Sequence, residues 1–430
     1  MIATLFGLLL APKPAYAKTF TVNSTCDAAD DTPGNGVCQV EGFVFGCSLR
    51  AAIEEANEYP GADTINFNLS ATDPNCDSSG VCTISPDSEL PDIDARLTLN
   101  GYSQPGAKPN TKKSGINNAV LKIELDGISA GADAVGLFVK AKNSVVKGLV
   151  INRFDGNGVF LGSTASGSKV QGNFIGTNPE GTSSTNLGNG ASGVLVSGSA
   201  NNTIGGRYPS QRNVISGNGG IGVWIFDPGP LGTTGNKVQG NRIGTNKNGS
   251  FDLGNDFDGV RISASDNIVG GSRSGQANVI AFNDGDGVSV EGDASTGNRI
   301  LRNSMHDNGG LGIDLGGDGE TPNDGPGDAD PGPNNLQNFP DITFLFHSGD
   351  STIIEGVLES APNTTFTIQV FQIPFDGENE GFRFLGKKSV TTDSNGEASF
   401  KLTTNKVVEP LTGVTATATD PDGNTSEFEP

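Results

Sequence analysis

Asp258, Arg261 and Asp286 are the residues through which this chain could do chemistry. Asp258 and Asp286 each precede the glycine of a recurring tetrapeptide, Gly-Val/Ile-x-hydrophobic, and Arg261 is its outward x residue, so stacking the repeats would bring them to one face. Stacked strands lie about 4.8 Å apart. Carboxylates one repeat apart can share a proton or hold Ca²⁺. Such a spacing is also near the roughly 5–5.5 Å of the carboxyl pair in retaining glycosidases. Arg261 could grip a uronate carboxylate. Trp224, the only tryptophan, and Phe226 would supply an aromatic platform, and Glu291 and Asp314 would extend the acidic column. A ring that stacks on a sugar, beside an arginine and carboxylates, is what a groove for an extended polysaccharide needs. The plainer reading is a solvated face, since Asp before Gly at a corner is ordinary turn chemistry.

Two weaker signals follow. Asp314, Asp318, Asp324, Asp328 and Asp330 could contribute to a Ca²⁺ site, although EF-hand spacing is absent. His306 precedes Asp307, a pair more often solvated than catalytic.

The elements that must position these residues are short strands. The tetrapeptide recurs at Gly158, Gly193, Gly222, Gly259, Gly287 and Gly312. Between successive glycines lie two further apolar runs, each opened by Asn, such as Asn202-Thr-Ile-Gly and Asn213-Val-Ile-Ser. Three short strands per repeat is the signature of a parallel β-helix. The period-2 pattern sends Val159/Leu161, Val194/Val196, Val223/Ile225, Val260/Ile262, Val288/Val290 and Ile313/Leu315 inward. It sends Phe160, Leu195, Trp224, Arg261, Ser289 and Asp314 outward. No i, i+3, i+4 stripe competes. Asn and Gly suit sharp corners, and stacked Asn side chains can hydrogen-bond along a column, so the asparagines read as structural. Long loops at 177–190 and 245–257 leave the same corner two repeats apart and could wall the outward face.

The sequence has 430 residues, 63 of them glycine without a collagen triplet, which argues for many turns. A net charge of −22 makes nucleic acid an unsuitable partner and is compatible with cation binding. Residues 1–17 read as a secretory signal: apolar Ile2–Ala11, then Ala15-Tyr16-Ala17. No later stretch is apolar for long enough to span a membrane. In an exported chain five cysteines suggest two disulfides, Cys76–Cys82 and Cys38–Cys47, with Cys26 left over. Zinc is the rival reading, but paired C-x₂-C spacing is missing and only His306 and His347 are available.

Along the chain, 18–125 reads as a capping region with the first coils. Ser48 can cap a helix whose apolar face is Leu49, Ala52, Ile53 and Ala56, a lid for the open sheet edge. The main repeats occupy 126–315, a Gly/Asp/Pro linker 316–340, and alternating strands 341–430, an Ig-like β-sandwich.

Cys47-Ser-Leu-Arg-Ala-Ala-Ile-Glu-Glu-Ala-Asn57 resembles the CSLREA motif at the head of secreted bacterial right-handed parallel β-helix proteins, a pectin-lyase-like architecture. Gly61–Phe67, Leu99–Gly106 and Gly148–Phe154 look like its continuation, so the likeness covers nearly the whole chain. It departs at Ala51, where the family has Glu, and at Cys26. The resemblance implies fold and export, and no agreed activity. The Gly-His-Gly, Asp-Pro-His-Glu and Arg-Ile-Lys marks of β-helix polysaccharide enzymes are missing.

The expectation is therefore an all-β protein: a right-handed parallel β-helix with an N-terminal capping helix, then a small β-sandwich. Its expected role is a secreted or cell-surface module that binds a polysaccharide or cell-surface glycan, or a scaffold. The alternative is a polysaccharide lyase or glycoside hydrolase working through Asp258, Arg261 and Asp286. Ice binding would need flat Thr-x-Thr arrays, and the outward columns are too mixed.

Overall fold

A computed structural model describes residues 16–40, 42, 46–113, 115–229, 232–348, 351–373, 380–406, 408 and 413–429. The expected secretory signal lies outside them except for Tyr16 and Ala17. Short parallel strands stack into three sheets of nine, eight and seven strands, and the chain visits them in turn. The first sheet runs from Thr19–Val22 to Arg299–Leu301, the second from Cys82–Ile84 to Ser304–His306, the third from Leu137–Val139 to Ile313–Leu315. The fold is a parallel β-helix.

The third sheet stacks in the register that the tetrapeptide requires. Val194, Leu195 and Val196 pair with Val223, Trp224 and Ile225, which pair with Val260, Arg261 and Ile262. The expected inward residues are all buried, and they join one apolar core that runs the length of the coil. The three sheets together close that core.

The corners are tied by three buried asparagine ladders. Asn202, Asn236, Asn267 and Asn298 rise along the first sheet. Asn173, Asn213, Asn241, Asn278 and Asn303 rise along the second. Asn189, Asn218, Asn255, Asn283 and Asn308 rise along the third. In the second ladder the amides of Asn173, Asn213, Asn241 and Asn278 each donate to the next Asn Oδ1 and to a strand carbonyl, as Asn241 does to Ile204. Such groups would otherwise be orphaned where a strand turns the corner.

Both ends are covered. The helix Leu49–Glu58 starts at Ser48, whose hydroxyl accepts the Ala51 N–H at 3.0 Å, and it buries Leu49, Ala52, Ile53 and Ala56 on the first coil. Cys38–Cys47 and Cys76–Cys82 are bridged, and Cys26 is free. At the other end stand two three-stranded antiparallel sheets. Their own core includes Ile354, Leu358, Phe366, Ile368, Val370 and Phe400.

This C-terminal unit plugs the coil. Glu427 accepts the Leu315 N–H at 2.8 Å, Thr425 the Ile300 N–H at 3.1 Å and Gln369 the Arg302 N–H at 3.0 Å. Glu380 Oε1 takes the last amide of the third ladder, from Asn308, at 2.6 Å, and Asn334 receives the Asn298 N–H at 2.9 Å. Phe371 and Phe428 complete the coil's core. Backbone groups that an open sheet edge would expose are thus satisfied. Within the stretch expected to be a linker, Asn334, Gln337 and Asn338 are buried.

Candidate functional site

The outward column of the third sheet carries the expected site. Trp224 and Arg261 are register partners, with Leu195 on one side and Ser289 and Asp314 on the other. Trp224, Phe226 and Arg261 are partly exposed, on the face opposite the buried valines and isoleucines. The Trp224 and Phe226 rings meet at 5.1 Å between centroids. The Trp224 indole N–H is covered and has no acceptor among the described residues, so the ring offers a ligand stacking rather than a hydrogen bond.

The aromatic column begins one coil earlier than the valine pattern suggested. Phe138 pairs with Phe160, and their rings stack at 4.4 Å with 1° between planes. The sequence signal was Gly136-Leu137-Phe138-Val139, the same tetrapeptide with Leu in place of Val or Ile.

The carboxylates divide into different kinds. Asp258, expected on the exposed surface, is only 3% exposed. Its Oδ2 accepts Arg261 Nε at 2.7 Å and Ser289 Oγ at 2.6 Å, and its Oδ1 accepts the Asp286 N–H at 3.0 Å. It is a girder that sets the pose of Arg261. Asp286 is half-buried and accepts the Leu311 N–H at 2.7 Å. Burial, then the charges of Asp258 and Asp314, push its carboxyl up to about 7. Glu291 lies 3.3 Å from Arg261 Nη1 and is raised, mainly by burial, with Arg261 opposing. Asp314, only 3% exposed, is also raised by burial, against the N–H groups of Gly319 and Gly317 that bond it. Burial works against the Arg261 charge, but Asp258, Glu291 and Asp286 outweigh it and raise its pKa.

Three of the five expected metal ligands converge. Oxygens of Asp324, Asp328 and Asp330 lie within 4.8 Å of one another, the one such group among the described residues, and Asp314 and Asp318 do not join them. Asp328 is already engaged by Gln337, Ser360 and Asn338. Burial first, then neighbouring Asp324 and Asp330, push it up to about 6. His306 bonds Asp307 at 2.6 Å and sits edge-on between Phe282 and Phe382 rather than in open solvent.

The two long loops pack on each other, with Lys247 N–H donating to Gly181 at 2.8 Å. They wall a groove of about 940 Å³ at the corner before the third sheet, lined by Arg153, Asp155, Ser184, Asn186 and Asp256. Trp224, Phe226, Arg261 and Asp286 are not in its lining.

The raised carboxyls set a pH dependence. Asp286, Glu427 and Glu429 are each pushed up to about 7, chiefly by burial, from 3.8, 4.5 and 4.5. Between those limits the folded chain holds protons that the unfolded chain has released. Their stabilisation is therefore complete below the unfolded values and lost as pH rises to the folded ones. Tm should fall from about pH 5 to about pH 8, and Asp286→Asn should flatten that slope. An identical slope in the variant would remove Asp286 from this account.

No protein-family model and no curated protein matches this chain.

Proposed function

We propose that the chain is an exported glycan-binding β-helix protein of the CSLREA type, working at a cell surface or outside the cell. The observation that carries this reading is the outward column of the third sheet. Phe138, Phe160, Leu195 and Trp224 form a continuous, partly exposed apolar stripe that ends on Arg261 and its carboxylates. A sugar chain laid along the stripe meets flat rings first and a fixed cation last. Export is supported by the two disulfides and by Ala15-Tyr16-Ala17. Among the described residues no helix is long and apolar enough to cross a membrane.

A glycan array probed with the full chain tests this. Trp224→Ala should cut binding of any hit about tenfold or more, because stacked aromatic anchors dominate such contacts, while Tm stays within a few degrees. Unchanged binding, or no hit, refutes the reading.

Asp286 favours a second reading. A carboxyl held near neutrality by burial and by neighbouring carboxylates, against the pull of Arg261, is how a general acid is poised. Turnover assays on array hits decide: a lyase or hydrolase should lose turnover by orders of magnitude in Asp286→Asn while binding is kept. Asp258 is the poorer probe, since its removal also frees Arg261.

A further inference from the structure

A second surface carries the opposite charge. At the corner between the first and second sheets, two short 3-10 turns, Pro209–Gln211 and Ser274–Gln276, lie two coils apart. They touch: a Cβ on Gly275 would lie 2.4 Å from the Arg207 carbonyl oxygen. The segment around Lys108–Val120 folds over the outer face of the second sheet and brings Lys113 to the same place. Between them lies a groove of about 550 Å³ lined by Lys113, Arg207, Tyr208, Arg212 and Arg273, with no carboxylate in its lining.

Three arginines elsewhere find acids: Arg50 pairs with Asp27, Arg153 with Asp126, Arg261 with Asp258. Here, among the described residues, none of the four cations has a carboxylate within 4.0 Å, nor does Arg242 behind them. Arg212 is only 9% exposed. Two of its nitrogens donate to the carbonyls of Gly240 and Lys113, and its Nη1 has no acceptor. The Arg242 Nε also lacks one. Burial lowers the pKa of both, and the Arg212 charge presses further on Arg242, which falls to about 9. A buried guanidinium without a counter-ion is costly, and a bound anion removes that cost. Arg207 stacks 4.8 Å from the centre of the exposed Tyr208 ring, which holds its guanidinium at the groove's edge.

We propose that this groove binds a sulfate or phosphate ester carried on a sugar. Arg207 and Arg273 reach the oxyanion from solvent, the fixed charge of Arg212 lies beneath, and the Tyr208 ring packs on the sugar. The net charge of −22 repels a long polyanion, so a ligand with its charge on one or two groups fits better.

Calorimetric titration of the full chain with glucose 6-sulfate, glucose 6-phosphate and glucose tests it. One or both esters should bind, more weakly as salt is raised, and glucose should not. Which ester binds identifies the source of the group. The double variant Arg207→Ala, Arg273→Ala changes only exposed side chains, so Tm should hold while ester affinity falls at least tenfold. Trp224→Ala should leave ester binding intact, which separates this site from the stripe on the third sheet. No binding of either ester, equal binding of glucose, or a double variant that binds like the parent overturns the proposal.

Discussion

Val260→Asp should unfold the coil at or near room temperature, or lower its unfolding midpoint far more than any surface change. Val260 is 0% exposed, stacked between Val223 and Val288. The substitution removes a buried aliphatic side chain worth about 1.5–3 kcal/mol. It also places a carboxyl where only hydrocarbon surrounds it, and that group must go in unpaired or protonated. Together these exceed the roughly 4 kcal/mol that marks an exceptional single substitution. Ser263→Asp, three residues on and outward, should leave the midpoint nearly unchanged. Urea unfolding followed by circular dichroism compares the two. Equal midpoints would mean that the inward and outward assignments of this strand are wrong.

The second large effect is expected in a ladder. Asn241 is 0% exposed. It accepts from the amide and backbone N–H of Asn213, at 3.0 and 3.3 Å, and its amide serves the Ile204 carbonyl at 3.0 Å. Asn241→Ala strands donors below it and an acceptor across the corner. Each stranded buried group costs about 1–3 kcal/mol, so the total should be about 3 kcal/mol or more. Hydrogen exchange should quicken at Asn213 and its neighbours before the coil ends respond. The exposed Lys237→Ala, in the adjoining strand, should be close to neutral. If Asn241→Ala matches it, the ladder contributes nothing to stability.

How much of this was legible follows from how local each signal is. The tetrapeptide fixes which residues face inward, and stacking identical units fixes the register, so Trp224 and Arg261 could be placed side by side before any coordinates. The strand-opening asparagines were legible as corner residues for the same reason. The role of Asp258 was not. An aspartate before glycine looks like turn chemistry, and only the third dimension shows Arg261, Ser289 and Asp286 converging on it. The plug was equally hidden: Glu380, Thr425 and Glu427 are ordinary polar residues, and their partners lie 72 to 125 positions away in the chain. The basic groove draws on positions 113, 207, 212 and 273, which no short pattern links.

The plug has a consequence for the order in which the molecule can be made. A chain built from its N-terminus delivers the lid, Leu49–Glu58, before the coils and the residues that cover the far end, Asn424–Phe428, after them. Coils can therefore wind up as they emerge, each templated by the one before. Through that whole interval the growing tip is a bare, self-complementary surface, able to accept a strand from a neighbouring nascent chain as readily as its own next one. A ribosome that stalls after residue 315 would release a seed for end-to-end fibres. Arrival of Asn424–Phe428 at the open edge would decide between a discrete particle and a polymer.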